Sequence, residues 1–147
     1  MAKLHQGIFT PVNPQKVVGN AKIFYRSGWE RNVMMLLDQH PDVINWASES
    51  IQIPYQNPLT GRWTVYIPDF MVISRGKSGI QKAEIIEVKP KREALAENAR
   101  SKKDRAALLL NTAKWAACIG WCKKHGFTFR ILTEDQLFPK KGKDIKK

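Results

Sequence analysis

The apolar positions of this chain change period several times, and each change predicts an element. Residues 66–73 and 83–89 alternate as strands do, with successive side chains on opposite faces. Ala83, Ile85, Glu87 and Lys89 then share one face, and Glu84, Ile86 and Val88 share the other. On the preceding strand Ile67, Asp69, Met71 and Ile73 line one face. Residues 42–50 lead into a strand at 51–56, and 62–67 returns as its partner. The turn signal Asn57-Pro58-Leu59-Thr60-Gly61 between them makes a hairpin the natural reading.

A helical period appears twice. Ser27-Gly28-Trp29-Glu30 fits a capping box, with Ser27 as N-cap and Glu30 at N3. Trp29, Val33, Leu36 and Leu37 follow as an apolar stripe that ends near His40, before Pro41. Ser101-Lys102-Lys103-Asp104 caps a longer helix that runs to about Lys124. Its expected stripe is Leu108, Trp115, Ile119 and Cys122, widened by Leu109, Ala113 and Ala116. Lys123, Lys124 and His125 suit its last turn, and Gly126 suits the position beyond it. A short helix from Glu93, a strand at 127–132 and a short helix from Thr133 complete the pattern.

The expected organisation is an extended basic arm at 1–24, a domain at 25–138 and a basic tail at 139–147. Gly7, Pro11, Pro14 and Gly19 break any period in the arm. It reads either as a strap over the domain or as an arm that binds DNA or a neighbouring subunit. The element order predicts the α/β class: a mixed sheet of about four to five strands flanked by helices.

Charge changes the picture. The chain has 147 residues and a formal net charge of +12. That excess favours an anionic partner, with nucleic acid the first candidate. Lys91, Arg92, Arg100, Lys102 and Lys103 crowd the stretch after Pro90, and Arg75 and Lys77 lie in a basic loop. Each group reads either as a solvated face or as a grip on phosphate. The two cysteines, Cys118 and Cys122, are spaced for helix packing rather than zinc, and point to a reducing compartment. Residues 1–10 lack the apolar core of a signal peptide, and no stretch has the length of a membrane span.

The candidate chemistry lies on the alternating strands. If they pair, Asp69 comes level with Glu87, and Lys89 stands beside it. Two carboxylates held close repel each other unless a cation lies between them. Mg²⁺ takes carboxylate, water and phosphate oxygens. A nearby lysine can orient or deprotonate a water, or neutralise charge on a phosphate. The trio suits metal-assisted hydrolysis of a phosphodiester. Glu30 has two readings: a capping residue, or a carboxylate that reaches this site from the first helix.

With Pro68-Asp69 and Glu87-Val88-Lys89 in that order, the chain resembles the PD…ExK nucleases, which share the restriction-endonuclease-like core. The stretches Asn13-Pro14-Gln15-Lys16-Val17-Val18-Gly19, Tyr25-Arg26-Ser27-Gly28-Trp29-Glu30 and Ile86-Glu87-Val88-Lys89-Pro90-Lys91 narrow the resemblance. They are similar to those of the head-completion nucleases of T-even-type tailed phages. The resemblance implies a DNA endonuclease that acts after DNA packaging and before tail joining. Its partners would be double-stranded DNA and the phage head, portal or neck proteins. Its place would be the host cytoplasm during assembly, with or without retention in the virion. The resemblance also implies Mg²⁺, replaceable by Mn²⁺, on Asp69, Glu87 and the Val88 carbonyl. Lys89 would act on the water, and Glu30 would support the site. Two alternatives stand beside this: a structural head–neck DNA-binding protein with a vestigial site, and a branch-specific DNA resolvase.

Overall fold

A computed structural model describes residues 6–19, 22–94 and 100–137. The tail at 139–147 and the side chain of Arg92 lie outside the described residues. At its centre is a four-stranded mixed sheet built from β3 (Val43–Ser48), β6 (Phe70–Arg75), β7 (Gln81–Val88) and β8 (Thr128–Leu132), side by side in that order. The first three run antiparallel, with Phe70 opposite Ile86 and Ser48 opposite Phe70. β8 runs parallel to β7. A parallel pair needs a long crossover, and α3 (Lys102–His125) provides it. This is the restriction-endonuclease-like α/β core, with the expected number of sheet strands.

The sheet separates two apolar layers. On one side Phe70, Val72 and Ile86 pack with Trp46 against α1 (Gly28–Gln39), which contributes Val33, Met34 and Leu37. On the other side Ile85 packs against Cys118 and Cys122 of α3. The same layer takes Ile53, Tyr55 and Tyr66 from a separate two-stranded hairpin, β4 (Ile53–Gln56) and β5 (Trp63–Tyr66). Adjacent residues of β7 thus face opposite layers, as alternation requires.

Several boundaries differ from the expectation. Residues 66–73 are not one strand: β5 ends at Tyr66 in the hairpin sheet, and β6 begins at Phe70 in the central sheet. Pro68, which has no N–H for a ladder, sits in the gap. Residues 42–50 do not merely lead into a strand but contain β3, a full member of the central sheet. On α1, Leu36 is exposed, and the inner stripe is Val33, Met34, Leu37 and Asp38. On α3, Leu109, Ala116 and Ile119 face outward, while Asn111, Cys118 and Cys122 are buried. Trp115, Ala113 and Cys122 of the expected stripe do face the core, joined by Cys118, Leu110 and Trp121, so the packed face is shifted from the expected one. Its termini are as expected: Ser101 and Asp104 form a reciprocal capping box, and Gly126 closes the helix at φ 77°, where an L side chain is strained.

The described part of the N-terminal segment is a strap fastened to the domain. β1 (Gly7–Phe9) pairs antiparallel with β2 (Ile23–Tyr25), and Phe9 and Ile23 enter the core beside Trp46. Gly7 is required by close approach, since a Cβ there would stand 2.6 Å from the Tyr25 hydroxyl. Buried Asp38 fastens the next stretch: its carboxylate accepts the Val12 and Asn13 backbone N–H groups at 2.8 and 2.9 Å. α2 (Lys91–Ala94) follows β7, and α4 (Glu134–Leu137) follows β8. Among the described residues, no helix is long and apolar enough to cross a membrane.

Candidate active site

Asp69 is the last residue before β6, and Glu87 is the last but one of β7. Because Phe70 opposes Ile86, the next pair along this ladder direction is Asp69 with Glu87. The Val88 N–H donates to Asp69 Oδ2 at 2.8 Å. The Glu87 carboxylate in turn accepts the Tyr66 hydroxyl at 2.7 Å. The carbonyl of Asp69 accepts the Glu49 N–H at 3.0 Å, which ties the same residue to the end of β3. Asp69 is thus aimed by the backbone of β7, and Glu87 by a side chain of the hairpin.

Both carboxyl groups are buried, at 7% relative exposure each. Burial, and then the charge of Glu87, push Asp69 up to about 8. Burial likewise raises Glu87, against the pull of Tyr66, Lys89, the Asp69 N–H and Lys114. Two carboxylates this close repel each other when ionised, and a cation between them would relieve that repulsion. Among the described residues no three His, Cys, Asp or Glu side chains cluster as ligands. A divalent ion here would complete its shell with backbone carbonyl, water and substrate oxygens, which suits Mg²⁺ and not a thiolate- or imidazole-bound metal. The Cys118 and Cys122 thiols, both raised by burial, stand in helix packing.

The carboxylates open into a cleft of about 350 Å³ whose lining also includes Arg26, Glu30, Lys89 and Lys114. Lys89 continues β7, and its backbone N–H is held by the Leu132 carbonyl at 2.9 Å. Its ammonium faces Glu93 at 3.8 Å. Glu30 is in the cleft as the helix reading allowed, but the capping box is incomplete. Ser27 Oγ accepts the Glu30 N–H at 3.2 Å, whereas Glu30 Oε1 accepts the N–H of Arg26, one residue before the N-cap, at 2.9 Å. Glu30 reaches Asp69 through the Arg26 guanidinium, which lies 3.5 Å from Glu30 and 3.4 Å from Asp69 and also pairs with Glu49. Burial would lower Arg26, but these three carboxylates outweigh it and raise its pKa.

Four of these residues escaped the sequence reading: Arg26, Glu49, Tyr66 and Lys114. Tyr66 donates its hydroxyl to Glu87 Oε1 at 2.7 Å, from the hairpin sheet into the central one. Lys114 is half-buried on α3, with its ammonium 5.9 Å from the centre of the Tyr66 ring. The signal for Lys114 was available. It lies three residues after Asn111 and four before Cys118, so it stands as a lysine on the buried stripe, where lysine is rare without a purpose. Glu49 adopts φ 51°, a left-handed value that among the described non-glycine residues it alone shows.

The proposed phosphate grips are not all brought together. Arg75 and Lys77 lie at the far end of the β6–β7 hairpin, where Arg75 opposes Gln81 and donates to its side chain at 3.0 Å. Six residues of strand separate Arg75 from Asp69, about 20 Å. Lys91 leaves the site promptly and pairs with Asp135 of α4 at 3.0 Å. Arg100, Lys102 and Lys103 are exposed at the start of α3, roughly 18 Å along the helix from Lys114.

A restriction-endonuclease-like sheet that carries a paired carboxylate and a lysine at its strand ends defines a nuclease. Comparison with known proteins agrees. Residues 40–134 match the family described as TnsA-like endonuclease N terminal. The chain is 34% identical over 144 residues to the head completion nuclease of Enterobacteria phage T4, across 90% of this chain and 93% of that one. The chain therefore belongs to the TnsA-like endonuclease family, within the branch represented by the phage head completion nuclease.

Proposed function

We propose that this endonuclease hydrolyses phosphodiester bonds of double-stranded DNA with Mg²⁺, or Mn²⁺ in its place, held by Asp69, Glu87 and the Val88 carbonyl. The observation that carries the reading is the pair of buried carboxylates, Asp69 pushed up to about 8, opening into one cleft with Lys89. When bound, the ion polarises the phosphate and lowers the pKa of water.

The residues of the chain do the rest. Val88 N–H and Tyr66 hydroxyl fix the two carboxylates before any ligand arrives, which is the preorganisation that electrostatic catalysis needs. Lys89 orients the attacking water or takes its proton. Glu30 acts at one remove and positions Asp69 through Arg26. The basic groups at the hairpin tip (Arg75, Lys77) and around α2 and the start of α3 (Lys91, Arg92, Arg100, Lys102, Lys103) hold the duplex by its phosphates. Such contacts set register rather than sequence preference. The T4 relative's name extends the reading to head completion: DNA at the portal or neck of the filled head would be the substrate, in the host cell during assembly.

The test is cleavage of linear, circular and branched DNA with Mg²⁺, with Mn²⁺ and with chelator, for wild type, Asp69→Ala and Lys89→Ala. The reading expects metal-dependent cutting by wild type and loss of about 10³-fold or more in either variant. Cutting that survives both substitutions would place the chemistry elsewhere.

A further inference from the structure

The cleft holds a second ammonium that the Asp69–Glu87–Lys89 set does not account for. Lys114 projects from the buried stripe of α3 into the same cleft as Lys89. Its ammonium lies over the Tyr66 ring, with Nζ 5.9 Å from the ring centre, and Tyr66 is hydrogen-bonded to Glu87. It has no ion pair among the salt bridges of the described residues, although Glu87 attracts it. Lys89, by contrast, already faces Glu93. Burial, and then the charge of nearby Lys89, lower the pKa of Lys114. The geometry mirrors that of the carboxylates: beside a pair of anions suited to a cation stands an ammonium without an ion pair of its own among the described residues.

Charge counting points to the occupant. Asp69 and Glu87 together neutralise a divalent ion. A phosphodiester brings one negative charge, and attack by hydroxide adds a second. Lys89 balances one of these, and the cleft's Arg26 is already paired with Glu30, Glu49 and Asp69, which leaves Lys114 for the other.

We propose that Lys114 is a further catalytic residue, whose ammonium contacts a non-bridging oxygen of the scissile phosphate opposite the metal seat and neutralises the charge that develops there. The attacking water gives its oxygen and one hydrogen to phosphorus, and its other proton ends on the departing sugar oxygen as the P–O bond breaks. Lys114 keeps its own proton throughout. The inference rests on the phosphodiester reading above and deepens it. It also gives Tyr66 a double place: the ring lies under the Lys114 ammonium while the hydroxyl holds Glu87, so one side chain spaces the anionic and cationic halves of the cleft.

The experiment is single-turnover cleavage with saturating Mg²⁺ by wild type, Lys114→Gln, Lys114→Met and Lys114→Arg, alongside DNA affinity in Ca²⁺. Loss of one charge-stabilising donor predicts a rate about 10²-fold lower for the glutamine and methionine variants. DNA affinity should stay within about threefold, because one phosphate contact among many is lost. Arginine, which restores charge, should recover at least about tenfold of the rate. The Mg²⁺ midpoint should be unmoved in all three. Methionine keeps an unbranched apolar stem, so it carries the comparison if the glutamine variant does not fold. Equal rates in wild type and both neutral variants would overturn the inference and leave the nuclease intact. So would a loss that arginine does not relieve, or one that moves with the Mg²⁺ midpoint, since either marks a packing role. Absence of cutting by wild type under every metal condition would sink both readings together.

Discussion

Asp69 and Glu87 sit opposite each other at the mouth of the β6–β7 ladder. The Val88 N–H beside Glu87 holds the Asp69 carboxylate at 2.8 Å, and the Tyr66 hydroxyl holds the Glu87 carboxylate at 2.7 Å. Two groups that repel when charged are thus held side by side, one by the backbone of β7 and one by the hairpin's Tyr66. The arrangement is costly until a cation arrives, and that cost has measurable consequences.

The first is a pH dependence of stability. Folded Asp69 keeps its proton up to about 8, whereas the unfolded residue loses it near 3.8. Between those values the unfolded state has given up a proton that the folded state still holds, so stability falls as pH rises through the window. Without divalent metal, Tm should drop by roughly 5 °C or more from the acid to the alkaline end. Mg²⁺ binds the ionised pair, so its stabilisation should grow with pH. Thermal melts with and without Mg²⁺ at several pH values check this. A metal effect that shrinks as pH rises would count against the buried pair as the seat.

Tyr66→Phe removes the hydroxyl that donates to Glu87 Oε1. A buried carboxylate that loses a donor costs about 1–3 kcal/mol. We expect that loss in denaturant unfolding, together with slower cleavage, because Glu87 is no longer aimed. Unchanged stability and unchanged rate would mean that the hydrogen bond does not form in solution.

Asp38→Ala strips the acceptor from the Val12 and Asn13 N–H groups. Two charge-assisted bonds are lost at a buried site, so a destabilisation of about 2–4 kcal/mol is expected. Asp38 lies on α1, fastens the strap and does not line the cleft, so cleavage well below Tm should persist. Wild-type stability in urea unfolding would show that the strap is not fastened there.

Arg75→Ala combined with Lys77→Ala tests the hairpin tip, about 20 Å from Asp69. If the tip grips phosphate, DNA affinity should fall and the slope of log affinity against log salt should become shallower by about 1–2. An unchanged slope would return both residues to the solvated face.

Much of this layout was legible in the sequence, for identifiable reasons. Strict alternation from Ala83 to Lys89 set the register that brings Asp69 level with Glu87, and the Ser101–Asp104 box and Gly126 marked both ends of α3. Where several side chains could serve, the pattern misled. Leu109 and Ile119 look like a core stripe, but the small Cys118 and Cys122 let the helix approach Ile85 closely, which turns those aliphatics outward. That rotation is also why Lys114 went unnoticed: its importance depends on which face of α3 is buried. Tyr66 and Arg26 act across elements distant in the chain, from the hairpin to β7 and from the start of α1 to the start of β6. No local spacing reports such contacts.

Titration of Mn²⁺ into metal-free protein by calorimetry, for wild type, Asp69→Asn, Glu87→Gln and Lys89→Ala, tests the central claim most directly. The account predicts a site in wild type that is lost or weakened at least about tenfold in the two carboxylate variants. Lys89→Ala should bind the ion but fail to cut DNA. Equal Mn²⁺ binding by wild type and both carboxylate variants would contradict the account, because the ion would then sit somewhere other than between Asp69 and Glu87.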